Sequence, residues 1–217
     1  MALRGKRLTG LQTSVSELFG NQEEFSRNRR NLLLSNYCNG VSANLIGSNF
    51  FTGFLLLMNA SDSYIGLISM IAMFGNMLQV LSPLLLERFT EGRGIVHFLN
   101  IVLISIIPLI FSTDALKLSM TLIIVLLLNI INAMMAPGYQ VWHIKSIPDE
   151  IRSRYFSFFQ LTNSIIVYTV ILMGSQIVDA FKKGGNELTG LLVLRGIALV
   201  LAVLDIFFLS RIQEYPV

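Results

Sequence analysis

Residues 118–144, LSMTLIIVLLLNIINAMMAPGYQVWHI, contain no Asp, Glu, Lys or Arg and are long enough to cross a membrane as one helix. A transmembrane helix needs roughly 20 predominantly apolar residues to cross about 30 Å of hydrocarbon. Four other stretches are also uncharged, and a fifth is interrupted only by Arg195 and Asp205; these are 31–61, 63–86, 94–113, 155–178 and 188–210. The pattern predicts an all-α, polytopic membrane protein with transmembrane helices at roughly 39–59, 64–86, 95–112, 118–139, 155–178 and 188–210.

The composition is typical of a membrane protein and leaves little chain for a soluble domain. Of the 217 residues, 53% are hydrophobic and 13% are charged, whereas about 25% of residues in soluble proteins are charged. We predict a basic cytoplasmic arm over 1–38, a six-helix bundle over 39–210 and a short cytoplasmic tail over 211–217. The lipid bilayer is the expected partner. Nucleic acid is not, because that would require a basic patch on a folded soluble surface.

The lysines and arginines are distributed unevenly between the two sides of the predicted bundle. Twelve of the 16 lie in the arm, the second-to-third joint, the fourth-to-fifth joint and the tail. Three lie in the joints on the opposite side, and Arg195 lies within a span. Because Lys and Arg concentrate in cytoplasmic loops, we predict a multi-pass protein of the cell membrane with both termini in the cytoplasm.

Polar side chains recur inside the predicted spans and are the candidate substrate-binding residues. In the first span, Asn44, Ser48 and Thr52 follow i, i+4, i+8 spacing and share one helix face, which Asn49 borders. The remaining candidates lie on the fourth and fifth spans; they are Asn129, Asn132, Gln160 and Asn163. Such residues either hydrogen-bond neighbouring helices or line a water-filled cavity that holds a polar solute.

Arg195 and Asp205 are the only charged residues well inside a span. Ten residues on a helix correspond to about 15 Å of rise and roughly 280° of rotation, so the two are not a pair. They either extend to the membrane interfaces or meet partners on another helix or subunit, and a role in proton coupling is a further possibility. No catalytic motif or metal-ligand spacing is present, so we expect no enzyme activity, no cofactor and no metal site.

Two joints carry a family resemblance. Residues 82–93, SPLLLERFTEGR, resemble a degenerate form of the loop signature G-x-L-a-D-R-x-G-R of the major facilitator superfamily, with Glu87, Arg88 and Arg93 at its charged positions. Residues 142–156, WHIKSIPDEIRSRYF, are similar to the fourth-to-fifth joint of bacterial members. In that joint of the family a proline precedes an arginine that leads into the fifth span. In this chain the arginines after the proline are Arg152 and Arg154.

The resemblance covers about residues 30–212 and implies the N-terminal six-helix half of a twelve-helix transporter. It implies two inverted three-helix repeats, alternating access, and a cavity lined mainly by spans one, two, four and five. It also implies that Glu87, Arg88 and Arg93 help to latch the two halves together, with Arg152 and Arg154 at the second loop. The substrate is a small solute that the resemblance does not name.

A six-helix half would expose its polar cavity face to lipid, so a second half is expected. That half is either a second copy of this chain or a separate polypeptide. The alternatives to a transporter half are a non-transporting membrane scaffold and a truncated or degenerate transporter fragment. A channel is disfavoured, because no span carries a ring-forming acidic residue.

Overall fold

The computed structural model describes residues 23–77, 92–145 and 147–212, and over these ranges the chain forms helices and no strand. In chain order the helices are α1 Glu23–Ile46, α2 Ser48–Leu57, α3 Asp62–Met77, α4 Gly92–Ile110, α5 Asp114–Lys145, α6 Asp149–Lys183 and α7 Glu187–Leu209. Within the described residues, four segments are long and apolar enough to cross a membrane: Arg27–Leu57, Asp114–Val141, Asp149–Lys183 and Glu187–Leu209. The prediction of an all-α membrane protein is therefore confirmed.

The second and third predicted spans contain shorter apolar helical segments, Asp62–Gly75 and Ile95–Ile107, and residues 78–86 of the second span lie outside the described residues. Six spans therefore remain a prediction. The first helix begins at Glu23, well before the predicted start near residue 39. The reason lies in its packing: Arg29 and Leu32 are buried, so the basic segment before the apolar stretch belongs to the bundle.

Helix α7 is the central helix of the bundle and packs against α1, α2, α4 and α6. Its buried face contains Gly190, Leu194, Ala198 and Ala202 at four-residue spacing. The small residues on this face allow neighbouring backbones to approach closely, which is how helices associate in membranes. The approach is close enough for the Ser42 hydroxyl of α1 to donate to the Ala198 carbonyl oxygen at 2.8 Å.

The interior has three apolar layers along the bundle. One contains Phe54 of α2 with residues of α3, α4 and α5, and a second contains Leu45 of α1 with Leu194 of α7. The third lies at the opposite end from Phe54 and contains Leu32 and Tyr155, where α1 meets the start of α6. Pro148 immediately precedes α6, which suits a residue that lacks a backbone N–H.

The first span is interrupted at Gly47, where α1 ends and α2 begins. Gly47 has an extended backbone with φ −98° and ψ −172°, and a Cβ at this position would lie 2.7 Å from the Ala43 carbonyl oxygen. The break removes the continuous helical register on which a shared face of Asn44, Ser48 and Thr52 was predicted. The shared face predicted for Asn44 and Thr52 is therefore interrupted, because a residue with an extended backbone lies between the two positions.

The close packing of α6 on α7 gives a prediction for Gly190. A Cβ on Gly190 would lie 2.9 Å from Phe181 Cβ, whereas a Cβ on Gly196 of the same helix meets no described residue within 4 Å. We expect Gly190→Val to lower the unfolding free energy by about 1–3 kcal/mol through overpacking. Gly196→Val is the matched control and should change it little. Thermal midpoints in mild detergent provide the measurement, and equal midpoints for the two variants would contradict the packing described.

Candidate functional site

A cavity of about 520 Å³ lies where α1 and α2 meet α3, α4 and α5. Its apolar lining residues come from all five helices and are Ala43, Ile46, Gly47, Phe51, Leu55, Ile65, Ile68, Ile104 and Val125. Its polar lining residues are Asn49, Thr52, Ser69, His97, Asn100 and Asn129. The lining contains no Asp, Glu, Lys or Arg among the residues that the structure describes there. Such a cavity offers hydrogen bonds and an apolar wall to a small polar solute.

Three of the predicted substrate-binding residues line this cavity together. Asn49 and Thr52 reach it from α2, directly after the break at Gly47, and Asn129 reaches it from α5. The Asn129 Nδ2 donates to the Val125 carbonyl oxygen of its own helix at 2.8 Å. This bond uses one N–H of the amide and leaves its oxygen and second N–H for a ligand.

His97 connects the cavity wall to the central helix. Its Nε2 lies 2.9 Å from Ser42 Oγ, and Ser42 Oγ donates to the Ala198 carbonyl oxygen. A hydroxyl has one proton, so Ser42 accepts from His97, and the His97 Nε2 carries hydrogen. The arrangement couples a cavity-lining imidazole to the contact between α1 and α7.

The other predicted amides lie outside this cavity. Asn132 lines a second cavity of about 370 Å³ between α1 and α5, where the Tyr139 hydroxyl donates to Asn36 Oδ1 at 3.1 Å. Gln160 lies in an open groove of about 690 Å³ along α6. Asn44 donates to the Gly40 carbonyl oxygen of its own helix at 2.8 Å. The candidate residues therefore occupy several places.

Asn163 lies at the contact between α1 and α6. Its Oδ1 is buried and has no hydrogen-bond partner within the described ranges, and a Cβ on Gly40 would lie 2.9 Å from it. The absence of a side chain at Gly40 is what allows the amide to fit. The side chain of Ser48, the remaining candidate on the first span, lies outside what the structure describes.

Asp205 lies at the centre of a buried polar network between α1 and α7. Its side chain is 1% exposed; Ser35 Oγ donates to its Oδ1, and Asn39 Nδ2 donates to its Oδ2 at 3.1 Å. Asp205 therefore binds residues of another helix, which was one of the two alternatives from the sequence. A carboxylate this far from water needs such donors, because a bare one is costly in a membrane interior.

Arg195 lies on the same helix but has different surroundings. It is 4% exposed, and its Cζ lies 4.0 Å from the ring centroid of Phe54 and 5.9 Å from that of Phe51. Both aromatic rings belong to α2. The structure therefore places Arg195 inside the bundle and separates it from Asp205, as their helical spacing predicted.

The loop residues that carry the family resemblance are described only in part. Arg152 donates to the Ile147 carbonyl oxygen at 3.0 Å and forms an ion pair of 2.5 Å with Asp149. Arg154 is exposed on the first turns of α6. Glu87 and Arg88 lie outside the described residues, as does the side chain of Arg93.

Several residues of the cavity and the network were not predicted. His97 and Asn100 are three residues apart on α4 and face the same cavity, and this i, i+3 spacing is the signal that would have identified them. Ser35 and Asn39 were missed for another reason. Ser35 lies before the predicted start of the first helix and Asn39 lies at it, so neither was predicted to lie inside the membrane.

Within the described residues, no group of three or more His, Cys, Asp and Glu side chains is placed to hold a metal ion. Comparisons with models of known protein families, with curated protein sequences and with solved structures returned no match.

Proposed function

We propose that this chain is one six-helix half of a solute transporter of the major facilitator type, which works by alternating access when paired with a second half. The observation that carries this proposal is the 520 Å³ cavity inside a membrane bundle, lined by Asn49, Thr52, Asn100 and Asn129. Amides on several helices around one space are what a polar solute requires, and they are costly next to lipid. The proposal places the protein in the cell membrane with both termini in the cytoplasm.

The packing of the helices is consistent with two three-helix repeats. Let α1 with α2 be span one, and let α3 to α7 be spans two to six. If the first three spans and the last three are repeats, each helix contact should have a counterpart when spans one, two and three are exchanged with spans four, five and six. Under this exchange the contact between α1 and α7 corresponds to that between α5 and α4, and the contact between α1 and α6 corresponds to that between α5 and α3. The contact between α4 and α7, which are spans three and six, is its own counterpart. All five contacts are present, whereas the α6–α7 contact would become α3–α4, a pair that does not pack to a comparable extent in the described residues; the packing therefore supports a repeated architecture in part.

The exposed face of α6 supports the need for a second half. Ser157, Gln160, Ser164 and Tyr168 follow one another at three- and four-residue spacing, and Tyr168 is 68% exposed. A polar stripe of this kind is disfavoured next to hydrocarbon, so a protein surface or a water-filled cavity is expected to cover it. In the proposed assembly the second half covers this stripe, whether it is a second copy or a separate chain.

The non-transporting scaffold is favoured when mid-span amides bond between helices. Asn129 instead bonds a carbonyl group of its own helix while it lines the cavity, which supports transport; Asn44 also bonds its own helix but lies outside the cavity. Asp205, buried at the contact between α1 and α7, is the residue we propose for proton coupling. We assign no such role to Arg195, which has no place in that network.

Cysteine accessibility tests whether the cavity is filled with water. Cys38 is the only native cysteine, so Cys38→Ala gives a background without thiols. Thiolates rather than thiols react with maleimides or methanethiosulfonates, and thiols ionise in water. We expect Asn129→Cys and Thr52→Cys to react with a charged, membrane-impermeant reagent. Leu127→Cys, on α5 at a site that is 54% exposed in the isolated chain, should stay unmodified because it faces lipid.

Equal labelling of Leu127→Cys and Asn129→Cys would contradict a water-filled cavity, as would the absence of labelling at both cavity positions. Labelling after mild denaturation provides the control, since it shows that each introduced thiol is intact.

A further inference from the structure

We propose that the solute is an anion bearing a carboxylate or phosphate group, and that Arg195 is the residue that binds this group. The inference rests on the proposed transport function and adds the substrate class. It begins from the buried guanidinium of α7, which lies over the aromatic rings of Phe54 and Phe51.

A buried arginine normally has an acidic partner. Arg195 is 4% exposed, yet no carboxylate lies within ion-pair distance of it in the described part of the chain, and Asp205 is bound by Ser35 and Asn39. The attraction to the faces of Phe54 and Phe51 offsets only part of the cost of removing a guanidinium from water. An anion that arrives with the solute supplies the missing partner, and the guanidinium fork matches a carboxylate or phosphate.

Phe51 connects Arg195 to the cavity. The same side chain lines the 520 Å³ cavity and lies 5.9 Å, centroid to Cζ, from the guanidinium. Phe54, by contrast, is fully buried beside Arg195. Arg195 itself does not line the cavity, so in the proposed mechanism the Phe51 ring moves aside to let the anionic group reach the guanidinium, while Phe54 stays packed against Arg195.

Two further features of the cavity favour negative charge. Helix α2 begins at Ser48, and the adjoining Gly47 and Asn49 both line the cavity, so the partly positive N-terminus of this half-helix opens onto it beside the C-terminus of α1 at Ile46. The described lining includes no acidic side chain, so a bound anion meets donors and no repelling charge.

The test uses the assembled species, reconstituted in liposomes and incubated with a deproteinised cell extract. Solutes that accumulate inside are identified by mass spectrometry. We expect the wild-type protein to accumulate solutes that carry a carboxylate or phosphate, and Arg195→Gln to reduce this accumulation by about 30-fold or more. Arg195→Lys keeps the charge and should retain part of it.

Arg211 provides the matched control, because its Cζ also lies over a phenylalanine ring, 4.3 Å from the centroid of Phe207, but at the exposed end of α7. Arg211→Gln should leave accumulation unchanged. The native mass and the thermal midpoint show whether each variant assembles. If Arg195→Gln does not assemble, the Arg195→Lys and Phe51→Ala variants replace it. We expect Phe51→Ala to alter anion accumulation.

The outcomes separate the two proposals. Accumulation of neutral or cationic solutes alone, or of anions to the same extent by Arg195→Gln, overturns the anion inference and leaves transport standing. Accumulation of nothing by the wild-type assembly contradicts transport itself, and the anion inference with it.

Discussion

Replacing Asn49 and Asn129 together with leucine should lower solute uptake at least about 100-fold while assembly is preserved. The two amides lie on different helices, α2 and α5, and line one cavity. Leucine has a similar volume to asparagine but no hydrogen-bonding group, so the solute would leave water without compensation. Initial uptake into proteoliposomes, of the solutes that the wild-type protein accumulates, is the measurement.

Asn44→Leu is the control for this experiment. It removes the same type of side chain from the same span, but Asn44 bonds its own helix and is absent from the cavity lining. Uptake by this variant should stay within about threefold of the wild type, since Asn44 does not line the cavity. A loss as large in Asn44→Leu as in the double variant would show that the amides act through folding. Unchanged uptake in the double variant would remove the cavity from the mechanism.

Asp205→Ala should have the largest effect on stability. The substitution leaves Ser35 and Asn39 without the carboxylate that accepts their hydrogen bonds across the contact between α1 and α7. We expect a loss of about 2–3 kcal/mol, measured by the thermal midpoint and by the yield of monodisperse protein. A midpoint equal to that of the wild type would contradict the network.

Asp205→Asn separates structure from coupling. The amide keeps an oxygen that can accept from Ser35, so most of the stability should return, but the group no longer binds and releases a proton. We therefore expect exchange of solute across the membrane to persist while accumulation driven by a pH gradient is lost. Accumulation as large as in the wild type would exclude Asp205 from coupling and leave it a structural residue.

The apolar stretches predicted much of the fold, because membrane spans are decided by length and the absence of charge. Residues 118–144 and 188–210 are both spanned by long helices. The start of the first helix was not predicted, because Arg29 and Leu32 pack against other parts of the bundle rather than belonging to a free arm. Tertiary contacts of this kind leave no periodic signal in the sequence.

The cavity was predicted only in part for a related reason. Asn49, Thr52 and Asn129 were identified as polar residues in apolar surroundings, and they do share one space. The shared face of Asn44 and Thr52 depended on helical register, which one extended glycine reset. His97 and Asn100 lie near a helix end, where a polar residue is usually explained by the interface, so their common position was overlooked.

The mass of the native particle in mild detergent, measured together with its uptake activity, tests the central claim most directly. One chain has a mass of 24.3 kDa. A transporter half predicts that the active species contains two six-helix halves, either two copies of this chain or one copy with a second polypeptide. A particle of one chain that takes up solute by itself would contradict the account.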